Sequence, residues 1–167
     1  MRGALVLEPA AVDDAAAIAA LRNAVSIDLT RRYGKGHWSS QSTERGVIYQ
    51  LRTSSLYVMR DPVSVIASLR LARKKPWAID VSYFTPRTKP IYLTDMAVAP
   101  ERQGRGLGRA CLDQVRRIGA SWPADTVRLD AWNADAGAGG FYARCGYREV
   151  GRVTYRGAPL IYFETLL

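Results

Sequence analysis

The sequence predicts a mixed α/β or α+β fold built around one central sheet, and three observations predict it. The chain has 167 residues, which suits one domain, assigned here to residues 1–167. Hydrophobic residues make up 48 %, enough to fill one core. Strand-like and helix-like patterns alternate along the whole length, with no repeat, low-complexity tract or inner linker.

The elements follow in order. Ala4–Glu8 reads as a short strand that Pro9 ends. A helix opens at Val12-Asp13-Asp14, where the helix dipole favours acids. Ala17, Ile18, Leu21, Ala24, Val25 and Leu29 recur at helical spacing, and the helix fades near Arg31-Arg32. Gly34–Ser40 is a loop, and Thr43–Leu51 a second helix. Strands Leu56–Arg60 and Val63–Ala72 flank the turn Asp61-Pro62 and form a hairpin. An irregular stretch over Lys74–Pro90 holds Pro76, Pro86 and Pro90 with Trp77, Tyr83 and Phe84. Ile91–Val98 is a strong strand that Pro100 stops. A glycine-rich run leads into a helix with Leu107, Cys111, Val115 and Ile118 on one face. Trp122–Asp125 is a turn, Thr126–Trp132 a strand and Ala136–Arg144 a short helix. Val150–Tyr155 and Pro159–Leu166 are the last strands. The order is β α α β β β α β α β β.

Composition narrows the function classes. The net charge is +9, from 24 Lys and Arg against 15 Asp and Glu, which favours anionic partners. The charges form no single block, and most read as solvated surface. A nucleic-acid-binding module has no support from a recognition helix, an RNA-binding aromatic motif or a zinc site. No apolar run approaches the roughly 20 residues that cross a bilayer. The opening residues do not read as a signal peptide. Cys111 and Cys145 form neither a disulfide framework nor a zinc site and read as small buried residues. These features predict a cytoplasmic protein, with no metal, nucleic acid or membrane partner.

The sharpest motif is a strand, then Gln103-Gly104-Arg105-Gly106-Leu107-Gly108, then a helix. Glycines let the backbone approach a ligand closely. A helix start presents unpaired N–H groups and a partial positive charge. Together they suit a pyrophosphate, and Arg102, Arg105 and Arg109 add charge. The dipole alone contributes about 0.3–1 kcal/mol, so binding rests mainly on several charge-assisted N–H bonds. A Walker loop needs Gly-Lys-Ser/Thr, and the run ends Gly108-Arg109-Ala110. A dinucleotide fingerprint would need glycine where Arg109 stands. Spacing excludes both.

With Met96-Ala97-Val98-Ala99-Pro100 before it, this run resembles the first signature of the GCN5-related N-acetyltransferase superfamily. A second signature, Asn-x-x-Ala-x-x-apolar-Tyr-x-x-x-Gly-Phe, resembles Asp135–Tyr147, which includes Ala138, Tyr142 and Gly146. The resemblance spans nearly the whole chain, though Ile91–Val150 carries it. It implies an acyl-CoA N-acyltransferase fold, with a mostly antiparallel sheet flanked by helices. It further implies acetyl-CoA as co-substrate, a primary amine as acceptor, and an assembly that is often a homodimer. The pantetheine arm would pair with the backbone of Met96, Ala97 and Val98. The pyrophosphate would sit on Gln103–Gly108, and Tyr142 would lie near the thiol sulfur. Asp135 stands where the family usually has asparagine, and a helix-capping role suits aspartate there.

An amine attacks a thioester only when neutral, whereas a lysine amine titrates near 10.4 and an α-amine near 7.7–8. The chemistry therefore needs proton removal, carbonyl polarisation and protonation of the thiolate. Tyr142 is the candidate acid. Asp130 and Asp95 are the candidate bases, with water as the alternative carrier. If those two carboxylates lie close, they titrate as a pair and one value rises. His37 and Trp38, in the loop between the first helices, and Tyr83 and Phe84, before the signature strand, are candidates for the acceptor side. For the two later aromatics, packing that anchors the loop is the alternative. A CoA-binding regulatory protein without catalysis is the competing function.

Overall fold

The computed structural model describes residues 5–167. Its seven strands, β1 (Leu7–Pro9), β2 (Ser55–Arg60), β3 (Val65–Ala72), β4 (Pro90–Val98), β5 (Thr126–Trp132), β6 (Arg148–Tyr155) and β7 (Ala158–Leu166), hydrogen-bond in the order β1-β2-β3-β4-β5-β7-β6, and helices flank the sheet. The sheet is mostly antiparallel; the β4–β5 ladder is parallel. The order of strands and α-helices along the chain is the one the sequence predicts. Among the described residues, no helix is long and apolar enough to cross a membrane.

The chain divides into two compact units. The first takes in Met1–Leu71 and Asp95–Gln114. Here β1 (Leu7–Pro9) pairs β2 (Ser55–Arg60), which pairs β3 (Val65–Ala72), both antiparallel. Of the strand expected over Ala4–Glu8, Ala4 lies outside the described residues. β1 ends at Pro9, which is its last residue rather than the first beyond it. The proline is tolerated because β1 is an edge strand, where a missing N–H costs no central ladder bond. The Asp61 turn holds the hairpin, with Oδ1 accepting from the backbone N–H groups of Val63 at 2.9 Å and Ser64 at 2.8 Å. Those bonds keep Val63 and Ser64 in the turn, so β3 starts two residues later than its apolar run.

Helix α1 (Ala15–Tyr33) follows a 3-10 turn at Val12–Asp14. Its inward stripe is Ala15, Ile18, Ala19, Leu21 and Ser26, with Ile18 and Leu21 as expected, while Ala17 and Ala24 face solvent. The predicted stripe was one position out of phase at these alanines, because small residues pattern weakly on either face. Ile18 packs with Val47, Leu56 and Val58 in a shared core. Helix α2 (Glu44–Thr53) starts where Thr43 accepts from the Gly46 N–H at 3.0 Å.

The second unit takes in Ala72–Thr94 and Val115–Leu167. Strand β4 (Pro90–Val98) begins in it, and its first residues pair in parallel with β5 (Thr126–Trp132) from Pro90↔Thr126 to Tyr92↔Arg128. β5 pairs β7 (Ala158–Leu166), and β7 pairs β6 (Arg148–Tyr155). Helix α3 (Leu107–Ser121) buries Cys111, Leu112 and Val115. Burial pushes the Cys111 thiol up to about 11, as expected of an inert packing residue. Helix α4 spans only Gly139–Arg144, shorter than the predicted Ala136–Arg144. Its N-cap is Ala138, so Asp135, exposed and three residues earlier, does not cap it as expected. The chain turns between, and any side chain on Gly137 would run into the Trp132 carbonyl.

Candidate active site

The first unit carries the glycine-rich run. Gly104 and Gly106 have φ of +72° and +81°, the left-handed region that glycine enters without penalty. A Cβ at either position would meet no atom within 4 Å. Internal packing therefore does not exclude a side chain from either position. Residues Gln103–Gly106 are exposed, and the Gly106 carbonyl accepts the Ala110 N–H at 3.0 Å as α3 begins. The geometry is an open loop feeding a helix N-terminus, which suits an anion.

The side chains around this run divide into two kinds. Arg105 and Arg109 are exposed beside it. Arg102, expected to add charge for a ligand, donates instead to Asp61 and ties the loop to the β2–β3 turn. Gln103 Nε2 donates to the Val98 carbonyl at 3.0 Å, so its amide braces the end of β4. Leu107 and Gly108 form the first turn of α3.

The signature strand is irregular. Asp95 has φ of +52°, one of two left-handed non-glycine residues among those described. A left-handed L-residue costs roughly 1–2 kcal/mol and breaks the alternation of a strand. The burial pattern records that break: Ile91, Tyr92 and Leu93 are all buried, Asp95 is exposed, and Ala97 is buried again. Asp95 Oδ2 lies 3.3 Å from Arg70 Nη1 and 3.4 Å from Gln50 Nε2. Arg22 Nη1 donates to Gln50 Oε1 at 2.8 Å and completes the group. Of this group only Asp95 stands out as a candidate in the sequence. One signal for Arg22 was available, since it stands four residues after Ile18 on the inward stripe of α1.

The second unit carries the tyrosine. Tyr142, on α4, is 8 % exposed, with the rings of Phe141, Tyr147 and Phe163 at 5.3, 5.8 and 5.9 Å. Burial pushes its phenol well above the ordinary value of 10, and the charges of Tyr147, Asp130 and Cys145 push the same way. Asp130, on β5 opposite Tyr162 of β7, also raises Tyr162, whose main cause is again burial. The structure thus brings Asp130 and Tyr142 into electrostatic contact.

The aromatics before β4 anchor their loop. Phe84 is 5 % exposed and packs on Tyr162 at 5.2 Å, with the Arg128 guanidinium over its ring at 5.1 Å. Its place is in the core, so of the two readings of Phe84 the packing one describes its contacts. Tyr83 is half-exposed, meets Tyr162 edge-on at 5.5 Å and covers Gly151. Tyr162 donates to the Ala78 carbonyl and accepts the Asp80 N–H at 3.1 Å. Buried Glu164 accepts from the Thr85 N–H at 3.2 Å, from the Thr85 hydroxyl and from Arg148. None of this clamp was legible in the sequence. In the first unit, His37 is exposed in a 3-10 turn, and Trp38 Nε1 donates to the Gly34 carbonyl at 2.9 Å.

Among the described residues, no group of three or more His, Cys, Asp or Glu is placed to hold a metal ion.

Comparison with known proteins identifies the family and the fold. The family model of the acetyltransferase (GNAT) family matches residues 22–147. No curated protein matches in sequence. Among solved structures, an N-acetyltransferase from Staphylococcus aureus Mu50 superposes with a TM-score of 0.73 at 16 % identity, covering 98 % of this chain and 99 % of that one. The yncA protein of Salmonella typhimurium, solved with its cofactor acetyl-CoA, gives a TM-score of 0.70 at 16 % identity, over 99 % of this chain and 95 % of its own. Ribosomal-protein-alanine N-acetyltransferase from Brucella melitensis gives a TM-score of 0.73 at 14 % identity, over 98 % and 100 %. At these identities the likeness is one of fold.

Proposed function

We propose that this chain, which belongs to the GNAT acetyltransferase family, transfers an acetyl group from acetyl-CoA to a primary amine by direct attack in a ternary complex. The observation that carries the reading is the exposed glycine loop at the start of α3, with both Gly104 and Gly106 left-handed and open to a ligand. That loop suits the pyrophosphate, held by backbone N–H groups with Arg105 and Arg109 nearby. Met96–Val98 offers strand backbone for the pantetheine amides. Ala138 marks the start of α4, whose Tyr142 serves the sulfur.

In the reaction the amine nitrogen bonds to the acetyl carbonyl carbon and the C–S bond breaks. One proton leaves the nitrogen and one reaches the thiolate. Asp95 and Asp130 are the carboxylates available to accept the first, directly or through water. Tyr142 has a narrower role than a free phenol would. Burial holds it neutral, so complete transfer of its proton to a thiolate is uphill. It instead donates a hydrogen bond to the sulfur as charge develops, and solvent supplies the proton. Function proceeds in the cytoplasm, with acceptor-side contacts from His37, Trp38 and Tyr83.

The test is release of free thiol from acetyl-CoA over a panel of primary amines, with Tyr142→Phe beside the wild type. The variant should retain acetyl-CoA affinity and lose roughly a hundredfold in kcat. Tight acetyl-CoA binding without turnover on any amine would turn the reading toward a CoA-binding regulatory protein.

A further inference from the structure

Four side chains from four elements of the first unit meet at the irregular position of β4. Arg22 comes from α1, Gln50 from α2, Arg70 from β3 and Asp95 from β4. Gln50 links the group, accepting from Arg22 Nη1 at 2.8 Å while its amide nitrogen lies 3.4 Å from Asp95 Oδ2. Arg70 Nη1 lies 3.3 Å from the same oxygen. Two guanidinium groups thus face one carboxylate, and one positive charge is left over.

The hydrogen bonding is incomplete in the same sense. Nε and Nη2 of Arg22 and Nε of Arg70 are buried without a hydrogen-bond partner. Guanidinium nitrogens are donors only, so an acceptor must complete them. Burial, opposed by the Asp95 charge and assisted by that of Arg70, holds Arg22 below the ordinary guanidinium value. A charged group kept on the inward stripe of α1 against that cost marks a place for an anion. A planar carboxylate matches the guanidinium fork.

The arrangement also bears on the amine. Arg70 and Asp95 are in contact, so a cation and an anion stand side by side. Their complement is a molecule that carries a carboxylate and an ammonium a few bonds apart. A lysine side chain or a polyamine has no carboxylate at that spacing and would leave the Arg22 donors unmet. Asp95 immediately precedes Met96–Val98, the segment assigned above to the acyl donor.

We propose that Arg22 and Arg70 bind the carboxylate, and Asp95 the amine, of a free α-amino acid that serves as acetyl acceptor. This rests on the acetyltransferase reading and narrows its acceptor class. Gln50 is a positioning residue that holds Arg22 toward the group. The ammonium gives one proton to Asp95 and its nitrogen bonds to the acetyl carbon; as the C–S bond breaks, the nitrogen sheds a second proton, which passes through solvent to the leaving thiolate.

The experiment is calorimetric titration of the full chain with each of the twenty L-α-amino acids and with their carboxamides. Wild type, Arg22→Met and Arg70→Gln are compared, and thermal melts confirm that each is folded. At least one amino acid should bind the wild type, with its carboxamide roughly tenfold or more weaker. Each variant should lose that preference. In turnover the variants should raise KM for the acid far more than they lower kcat. The proposal is overturned if none of the twenty binds, if the carboxamides bind as well as the acids, or if the variants keep the preference. Should Arg22→Met fail to fold, Arg70→Gln decides, since its side chain is already 28 % exposed. Acetyl-CoA titrated separately keeps the two readings apart: its failure to bind would sink the transferase, while the amino-acid titrations would still decide the subsite.

Discussion

Gly106→Ala separates what the glycine loop does for the fold from what it does for a ligand. Gly106 has φ of +81° and no atom within 4 Å of a built Cβ. The methyl group therefore meets no clash, and the folded state loses only the left-handed penalty of roughly 1–2 kcal/mol. In a chain of this length each kcal/mol moves Tm by about 2–4 °C, so the melt should fall by roughly 2–8 °C. Ligand affinity should fall further than that strain explains. A methyl on the exposed loop holds a pyrophosphate off one or two backbone N–H groups. Each charged hydrogen bond is worth about 1.5–3 kcal/mol, so acetyl-CoA should bind roughly tenfold more weakly for one weak bond lost and up to about ten-thousandfold for two strong ones. Gly34→Ala is the matched control: Gly34, at the end of α1, has the same φ of +81° and the same open surroundings. Both variants should lose similar Tm, and only Gly106→Ala should lose affinity in calorimetry. Equal affinities would refute the assignment of the pyrophosphate to this loop.

Three further outcomes follow from the buried polar groups. Tyr142 and Tyr162 are both raised by burial, so the unfolded chain sheds their protons first as pH rises. Stability should be level below about pH 10 and decline above it; melts from pH 8 to 11 should show a shallower decline in Tyr142→Phe. Asp14 accepts from the Ala11 N–H at 2.8 Å and from Arg60 at 2.8 Å, and the Arg60 bond is the main cause that lowers its carboxyl below 3.8. Its contribution is present above that value and lost as pH falls through the folded one. Asp14→Asn should destabilise by about 1–3 kcal/mol in urea at pH 7, and the difference should vanish in strong acid. Glu164→Ala removes the acceptor for the Thr85 N–H, and leaving that group unpaired costs about 1–3 kcal/mol. Trypsin should then cut after Lys74 or Arg87 roughly tenfold faster or more, while an unchanged rate would mean that Tyr162 alone holds the loop.

How much was legible in the sequence depended on the range of the interaction. Thr126–Trp132 is legible to the residue because it follows the turn at Trp122–Asp125 and alternates Val127, Leu129 and Ala131 with Arg128 and Asp130. The glycine run announced itself because left-handed backbone is a local demand that glycine alone meets cheaply. The helix at Ala136 was read too long because its start depends on the Gly137 backbone pressing on Trp132, a contact no propensity records. Arg102 looked like a free cation beside the run until its partner Asp61, 41 positions away, was in view.

The sequence by itself determined the order of elements, the family signatures and the glycine loop, since periodicity, turn chemistry and backbone demands are written within a few residues. Only the tertiary structure decided that Arg22, Gln50, Arg70 and Asp95 form one group, and that Glu164 and Tyr162 clamp the loop before β4. These side chains come from positions as far apart as 84 residues, and charge and hydrogen bonding act through space over a few ångströms, blind to separation along the chain.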